Sequence, residues 1–285
     1  MAASSTTTLG NGGKLFFGSL CAGTFGLGCW QMQRLVEKRS LMEERNQELR
    51  MDPTTSLNLD DAQHAFQRRI LTGTFRHDRE VLIGPRGAPA GVQVPRKGLS
   101  AKSSKASAGG GAPGPQGFHV LTPFQLNSNG ERSMVWVNRG WVPKTMVPNS
   151  DYARASAKSK HDLDASNYPQ WTRPDGSVEV TTILSKTEKP RVISPEHDYS
   201  TRPLRLFWLD ALALQALAES EDETVLMVQI KDEEEELQYP MRPPLDAVAE
   251  FKTTPEIHAG YAATWFGLSG AGVYMMRKML TKGRG

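Results

Sequence analysis

The sequence predicts an α+β membrane protein in which two transmembrane helices flank a mainly antiparallel β domain with one or two helices. Two stretches near the ends of the chain, residues 15–32 and 257–276, contain no Asp, Glu, Lys or Arg. Each is close to the length that a helix needs to cross about 30 Å of hydrocarbon. Between them lie short apolar segments rich in β-branched and aromatic residues, which are typical of strands.

These stretches divide the chain of 285 residues into five parts. The order is an N-terminal tail, a transmembrane helix, a β-rich domain, a second transmembrane helix and a C-terminal tail, at residues 1–14, 15–32, 33–256, 257–276 and 277–285. Two spans would place both ends of the chain on one side of a membrane and the β domain on the other. The C-terminal tail is basic and has no acidic residue, which favours the inner side.

Six segments of the central domain have the composition of strands. They are residues 66–75, 81–85, 117–126, 133–142, 177–186 and 223–230. Residues 133–142 are partly apolar on both faces, which predicts a central strand. Residues 34–50 are expected to continue the first span as a helix that Asp52 and Pro53 end, and residues 206–220 predict an amphipathic helix.

Three segments of biased composition interrupt this pattern. Residues 87–116 form a basic insert rich in Gly, Ala, Ser and Pro, and we expect it to be disordered. Residues 148–175 predict a second long loop. The acidic run at residues 232–236 is expected to be a solvated loop, with cation binding as the alternative.

The composition argues against several classes of function. The net charge is +3 and the charges are interspersed, so nothing indicates nucleic-acid binding. Cys21 and Cys29 are the only cysteines, and about 12 Å of helix axis would separate them. They therefore predict neither a disulfide with each other nor a shared metal ion. Catalysis is not predicted, because no nucleophile–base motif, phosphate loop or pair of closely spaced histidines occurs.

Small residues recur at intervals of four in both spans, which predicts that the two helices pack through them. These residues are Gly18, Ala22 and Gly26 in the first span and Ala263, Gly267 and Ala271 in the second.

Five strings, in chain order, resemble one known family. GLGCWQMQRLVEK contains a G-x-W-Q-x-x-R pattern at Gly28, Trp30, Gln31 and Arg34. The other strings are GTFRHDREVLIGPR at 73–86, GFHVLTPF at 117–124, VNRGWVP at 137–143 and HAGYAATWFGLS at 258–269. Together with the two spans, they resemble the Surfeit locus protein 1 (Shy) family of cytochrome c oxidase assembly factors.

The resemblance implies a location and a function. The protein is expected in the mitochondrial inner membrane, with its β domain in the intermembrane space. It is expected to be a non-enzymatic chaperone that acts with other assembly factors on the oxidase core subunit, at or near the insertion of haem a. Two alternatives remain open, namely a scaffold with no cofactor and a two-span subunit of a transporter or secretion machine.

His258 is the principal candidate for a functional residue. It begins the second span, where a polar side chain is costly unless it has a partner or a function. A neutral imidazole is a common axial ligand of haem iron, and the resemblance implies haem a contact at this position. The alternative is an interfacial histidine that anchors the helix.

Four further residues complete the predicted haem site. Tyr261, Trp265 and Trp30 could line an apolar pocket, whereas core packing is the alternative for the two tryptophans. Arg139, together with Arg34, could pair with haem carboxylates. For Arg139 the alternative is an internal ion pair beside a bulge at the end of its strand. The predicted cofactor is haem a, bound transiently.

Overall fold

The computed structural model describes most of the chain. The described residues are 10–57, 64–92, 94, 115–127, 133–147, 171–190, 194–201, 203–219, 223–231, 238–251 and 253–282. They form two compact units. One unit, the β domain, comprises the described residues of 45–250, and the other, the helix pair, comprises those of 1–44 and 251–285.

The described residues contain four helices and seven strands. The helices are α1 (Asn11–Arg50), α2 (Ala211–Ala218), α3 (Leu245–Val248) and α4 (Pro255–Lys282). The strands are β1 (Arg69–Phe75), β2 (Val81–Gly87), β3 (Gln116–Leu126), β4 (Met134–Pro143), β5 (Ser177–Ser185), β6 (Leu204–Leu206) and β7 (Leu226–Gln229). All six predicted strands are therefore confirmed. The helix expected at 206–220 is shorter: Leu206 belongs to β6, Asp210 caps the start at Ala211, and Glu219 ends the helix in the left-handed conformation.

The seven strands form one mainly antiparallel sheet in the order β1-β5-β7-β4-β3-β2-β6. Only the β2–β6 and β4–β7 pairs are parallel. The C-terminal end of β3 also pairs with β1, so that the sheet closes on itself through five strands. Strand β4 lies between β7 and β3, which confirms the central strand predicted from its two apolar faces.

Alternate side chains of β4 enter two different hydrophobic clusters. Val135 and Val137 pack with Phe75 and Phe124 on one side of the strand. Trp136 packs with Leu214 of α2 on the other, and its indole N–H donates to the carbonyl of Leu214 at 3.1 Å. The core therefore covers both faces of the sheet at this strand, as expected for a strand that carries apolar side chains on each face.

The helix pair is joined along one seam of α1 and α4. On α1 the buried residues Cys21, Gly28 and Leu35 recur at intervals of seven. On α4 Ala262 and Ser269 have the same spacing, and the Ser269 hydroxyl donates to the Cys21 carbonyl at 2.9 Å. A spacing of seven keeps one narrow stripe of each helix against its partner.

No helix in the described part of the chain combines the length and the apolar character required to cross a membrane. The prediction of two transmembrane helices flanking the β domain is therefore wrong, although residues 15–32 and 257–276 are both helical and the α+β class itself holds. The physical reason is that a segment without charge need not be strongly apolar. Glycine, hydroxyl, amide and imidazole side chains dilute the apolar residues of both segments.

The small-residue contact between the helices is also predicted wrongly. A methyl group added at Gly18, Gly26 or Gly267 would meet no atom within 4 Å, so these residues do not form a close helix contact. At Gly28 an added Cβ would lie 2.6 Å from the Phe266 ring, and at Gly272 it would lie 2.6 Å from the Cys21 sulfur. Close approach therefore occurs at Gly28 and Gly272, because the seam repeats every seven residues and not every four.

The predicted insert is bounded by ordered strands. Gly87 is the last residue of β2 and faces Gln116, the first residue of β3. Residues 95–114, most of the segment expected to be disordered, lie outside the described residues, as do 148–170 of the second predicted loop and the acidic run at 232–236. The expectations for these three segments stay predictions.

Candidate functional site

A cavity of about 480 Å³ lies within the helix pair. Its lining residues are Trp30, Arg34, Lys38, Phe251, Thr253 and His258. The three residues from α1 recur at intervals of four, which places them on one face of the helix. His258 belongs to the first turns of α4, which begins at Pro255. The cavity therefore combines two aromatic rings, two cations and one imidazole.

The imidazole of His258 is held by a buried amide. Its Nδ1 lies 2.8 Å from Oε1 of Gln31, a residue that is 9 % exposed. An amide oxygen only accepts hydrogen bonds, so Nδ1 is the donor. In the neutral ring Nε2 then carries the lone pair, and this is the nitrogen that His258 can offer to a ligand.

The two cations of the cavity are held in different ways. Arg34 donates to the Glu37 carboxylate at 2.6 Å, and both side chains are about two-fifths exposed. The Lys38 ammonium lies 3.6 Å from the centre of the Phe251 ring, in a cation–π contact. Both charges remain accessible to solvent or to an anionic ligand, because neither is enclosed in the core.

The structure brings together only part of the predicted site. Trp30 and His258 share the cavity, and Arg34, the second predicted carboxylate partner, joins them. Tyr261 and Trp265 also lie on α4, the first exposed and the second half-buried, but neither lines the cavity in the described part of the protein. Arg139 belongs to the β domain. The ligand roles of these residues stay predictions.

Sequence reasoning missed four residues of the site. Lys38 could have been found, because it continues the spacing of four from Trp30 and Arg34. Gln31 was visible within its motif, but its contact with His258 was not predicted. Phe251 and Thr253 precede α4 in a segment that carries no local signal of a site.

Arg139 lies in the interior of the β domain. Its side chain and that of Glu80 are each 1 % exposed, and Arg139 Nη1 donates to Glu80 Oε2 at 3.1 Å. The same carboxylate accepts from Thr122 at 3.2 Å, from the Trp171 indole at 3.1 Å and from Arg173 at 3.0 Å. Arg139 also donates to the carbonyl of Thr172. The internal ion pair considered for Arg139 is thus present.

The charges around Glu80 keep it ionised. Burial by itself would raise the pKa of this carboxyl group, but the neighbouring His77 imidazole and the guanidinium groups of Arg173 and Arg139 outweigh it and lower the pKa. This buried carboxylate, just before β2, links Thr122 of β3, Arg139 of β4 and the segment around Trp171, so it acts as a brace, a point that ties these parts of the domain together.

The string VNRGWVP has a structural explanation in this brace. The register between β3 and β4 shifts opposite Arg139 and Gly140, which confirms the predicted bulge, although it lies within β4 and not at the end of the strand. Gly140 has φ +131°, and a side chain there would collide with the Met241 carbonyl at 2.6 Å. The side-chain oxygen of Asn138 accepts from the Gly140 N–H at 3.1 Å. These contacts turn Arg139 towards Glu80.

A second cavity, of about 540 Å³, lies in the β domain. Its lining residues are His77, Asp78, Arg79, Glu80, Pro203, Leu204, Ala216, Leu217 and Glu219. Arg79 donates to the Ala218 carbonyl at 3.2 Å and to the Glu219 carboxylate at 2.7 Å. The cationic group of this cavity therefore caps the C-terminus of α2.

Among the described residues, no three His, Cys, Asp or Glu side chains are grouped so as to hold a metal ion. The features that remain define a class. This is an α+β protein with a closed, mainly antiparallel sheet domain and a helix pair, formed by α1 and α4, that has an aromatic and cationic cavity around one histidine.

Comparison with known proteins identifies the family. The sequence model of the SURF1 family matches residues 19–270. Surfeit locus protein 1 of Arabidopsis thaliana is 26 % identical over 90 % of this chain and 74 % of its own length. The SURF1-like protein of Drosophila melanogaster is 28 % identical over 92 % of this chain and 75 % of its own. Human Surfeit locus protein 1 is 26 % identical over 91 % and 74 %. The chain belongs to the SURF1 family.

Proposed function

We propose that this SURF1-family protein is a non-enzymatic assembly factor for cytochrome c oxidase. In this proposal it holds the nascent core subunit at or near the step at which haem a is inserted, together with other assembly factors. Its place of action is the mitochondrial inner membrane, where the oxidase is built. The observation that carries the proposal is the cavity of the helix pair, with His258 oriented by Gln31.

The lining of this cavity suits a haem that is carried as cargo. A haem supplies an iron centre that accepts a nitrogen ligand, a flat apolar macrocycle and two carboxylates. His258 offers Nε2, since Gln31 occupies Nδ1. Trp30 and Phe251 supply aromatic surface, and Arg34 and Lys38 supply cations for the carboxylates. The iron, the macrocycle and the carboxylates of the ligand thus each have a matching residue.

The outer surface of the helix pair supports a role in holding another protein. Many large apolar side chains are exposed there, including Leu15, Phe16, Leu20, Phe25 and Leu27 on α1 and Leu268, Val273, Tyr274 and Met275 on α4. Large exposed apolar patches mark interaction surfaces. In our proposal the apolar helices of the oxidase core subunit cover this surface during assembly.

The proposal is tested by purifying the full chain in mild detergent from cells that make haem a. We expect an absorption band of haem a in the purified protein, and oxidase core subunits among the copurifying proteins identified by mass spectrometry. His258→Ala should remove the haem band while the helix content measured by circular dichroism is retained. His64→Ala is the control, because this histidine lies outside the cavity and its side chain is 43 % exposed.

The outcomes separate the alternatives. Core subunits without any haem band would contradict the haem role and favour a scaffold. Copurification of transporter or secretion subunits in place of oxidase subunits would contradict the proposed function as a whole. A haem band that persists in His258→Ala would place the cofactor elsewhere.

A further inference from the structure

The contact between Gln31 and His258 determines which imidazole nitrogen faces a ligand. The two residues are 227 positions apart in the chain, and Gln31 Oε1 lies 2.8 Å from His258 Nδ1. A free neutral imidazole can carry its proton on either nitrogen, so a fixed acceptor at one nitrogen selects the tautomer.

We propose that Gln31 is a positioning residue that locks His258 as the Nδ1–H tautomer and so presents Nε2 to haem iron. This inference rests on the proposed function, since it concerns the same cavity. Histidines that bind metals commonly donate their other N–H to a protein oxygen, which fixes ring orientation and makes the ligating nitrogen more basic. Gln31 supplies that oxygen from α1, while the ligand-binding nitrogen belongs to α4.

The surroundings of Gln31 favour a fixed position for the amide. The residue is 9 % exposed and lies between the seam residues Gly28 and Leu35 of α1, so its side chain is confined by the packed helices. Gln33, two positions along the same helix, is exposed and donates to Glu37 at 3.2 Å. One glutamine is therefore held at the histidine, and the other is an ordinary surface residue that serves as a matched control.

The chemical nature of the acceptor at Nδ1 should also affect the reduction potential of a bound haem. A carboxylate acceptor would draw the Nδ1 proton more strongly and give the ring imidazolate character, which stabilises ferric over ferrous iron. Gln31→Glu should therefore keep the Nδ1–H tautomer and lower the reduction potential of a bound haem. In Gln31→Leu the proton should no longer be confined to Nδ1.

The first experiment needs no haem. The full chain is labelled with ¹⁵N-histidine, and long-range ¹H–¹⁵N spectra are recorded at alkaline pH, with the His258 signals assigned by their loss in His258→Asn. We expect the Nδ1–H tautomer in the wild type and in Gln33→Leu, and a shift towards Nε2–H in Gln31→Leu. An Nε2–H tautomer in the wild type, as a rotated Gln31 amide would give, overturns the inference, and so does an unchanged tautomer in Gln31→Leu.

The second experiment measures haem binding by optical titration and spectroelectrochemistry. Gln31→Leu should raise the dissociation constant about 10- to 100-fold, and Gln31→Glu should retain binding at a lower potential. Gln33→Leu should match the wild type, and circular dichroism should show the same helix content in all variants. Should Gln31→Leu lose its fold, Gln31→Glu still tests the inference, because the reduction potential of its bound haem must be lower than that of the wild type.

The two experiments fail in different ways. If the wild type binds no haem, the haem role fails while the tautomer measurement still decides whether Gln31 positions His258. If the wild type binds haem and both Gln31 variants match its affinity and potential, the haem role stands and the positioning role of Gln31 is wrong.

Discussion

At the scale of single residues, the β domain depends on charges that are buried and paired. Arg139 and Glu80 are each 1 % exposed at the side chain, and four further groups surround the carboxylate. Removing one partner of a buried ion pair leaves the other charge unpaired in a medium that solvates it poorly. An exposed pair of the same chemistry contributes little, because water already solvates both charges.

Arg139→Met should therefore destabilise the protein by about 3–5 kcal/mol, the range for breaking a buried pair. The measurement is the free energy of unfolding from urea titrations followed by tryptophan fluorescence. Arg76→Met is the matched control, because Arg76 pairs with Asp78 at 3.1 Å and is 41 % exposed. Its effect should be below about 1 kcal/mol. Equal losses of unfolding free energy in the two variants would contradict the stabilising role of the buried Arg139–Glu80 pair.

His119 should make the stability depend on pH. Desolvation of its imidazole, helped by the Arg86 charge and opposed by Asn138 and Glu188, lowers its pKa to about 4. The unfolded chain, with a histidine pKa near the ordinary value of about 6.5, binds a proton first as the pH falls. The contribution of His119 to the free energy of unfolding is therefore fully present above about pH 6.5. It decreases as the pH falls towards about 4, by about 3 kcal/mol in total.

Replacement of this ring removes the effect. His119→Gln should flatten the slope of unfolding free energy against pH between about 6.5 and 4. Asn138→Ala, which removes the 3.3 Å contact to His119 Nδ1 but leaves the ring, should lower stability at every pH and keep the slope. The measurement is a series of urea titrations across this range. A slope that persists in His119→Gln would assign the effect to other groups.

At the scale of elements, the helix pair is organised by a repeat of seven residues. Cys21, Gly28 and Leu35 of α1 are buried along one stripe, and the Cys21 sulfur lies against Gly272 of α4. Gly28 and Gly272 mark the points of close contact, because a Cβ added at either would lie 2.6 Å from a side-chain atom of the partner helix. The outward faces keep their large apolar side chains exposed, so the seam and the outer surface have separate roles.

Cysteine crosslinking tests the seam directly. In a Cys29→Ser background, Gly272→Cys should form a disulfide with Cys21 under mild oxidation, because a Cβ at residue 272 would lie 2.6 Å from the Cys21 sulfur. Gly267→Cys should remain reduced, since no atom lies within 4 Å of its Cβ position. Free thiols are counted by mass spectrometry after alkylation. A crosslink from residue 267 in preference to 272 would contradict the seam and support helix packing through small residues at intervals of four.

Substitution by leucine gives a second, independent prediction for the same element. Gly28→Leu must displace the Phe266 ring, 2.6 Å from its Cβ position, and should cost about 1–3 kcal/mol of stability, as overpacking does. Gly267→Leu should be tolerated within about 0.5 kcal/mol, as surface changes are. Thermal unfolding followed at the helix signal of circular dichroism compares the two. Equal destabilisation by the two substitutions would contradict the conclusion that Gly28, and not Gly267, lies in the contact between the helices.

At the scale of the whole molecule, long stretches of chain connect elements that already pair. Gly87 of β2 faces Gln116 of β3, so the hairpin is complete without residues 95–114. A Cβ added at the intervening Gly91 would lie 2.6 Å from Ala247 and 2.7 Å from Pro244, so there is no room for a side chain at this position. Arg86 forms two hydrogen bonds with Glu188. The ends of the predicted insert therefore belong to the domain, and its centre is the part that can be removed.

Replacing residues 95–114 by a Gly/Ser linker of roughly eight residues should leave the unfolding free energy within about 1 kcal/mol, because closure entropy changes slowly with loop length. The contrasting variant joins Pro85 to Gly117 and deletes Arg86 and Gly87. It should be strongly destabilised, because it removes the pair of Arg86 with Glu188 and the Trp141 indole contact to the Arg86 carbonyl. Urea titration compares both with the full chain, and equal stability of the two would be inconsistent with this boundary.

The sequence by itself determined the local elements. Six strands, the central position of β4, the helical character of both chain ends and the bulge at Arg139 follow from patterns within a few residues. The strings that resemble the family could also be read directly, and the family proved correct. Local side-chain alternation and turn composition are sufficient for such features, because the forces that shape them act between near neighbours.

The tertiary structure decided which distant residues meet. It paired Arg139 with Glu80, the residue before β2, placed Lys38 and Phe251 beside His258, and joined Gln31 to His258 across 227 positions. It also replaced the predicted repeat of four between the helices by one of seven, and it gave no helix suited to crossing a membrane among the described residues. These outcomes depend on packing between segments far apart in the chain and on the summed apolar character of a whole helix, which the absence of charge alone does not reveal.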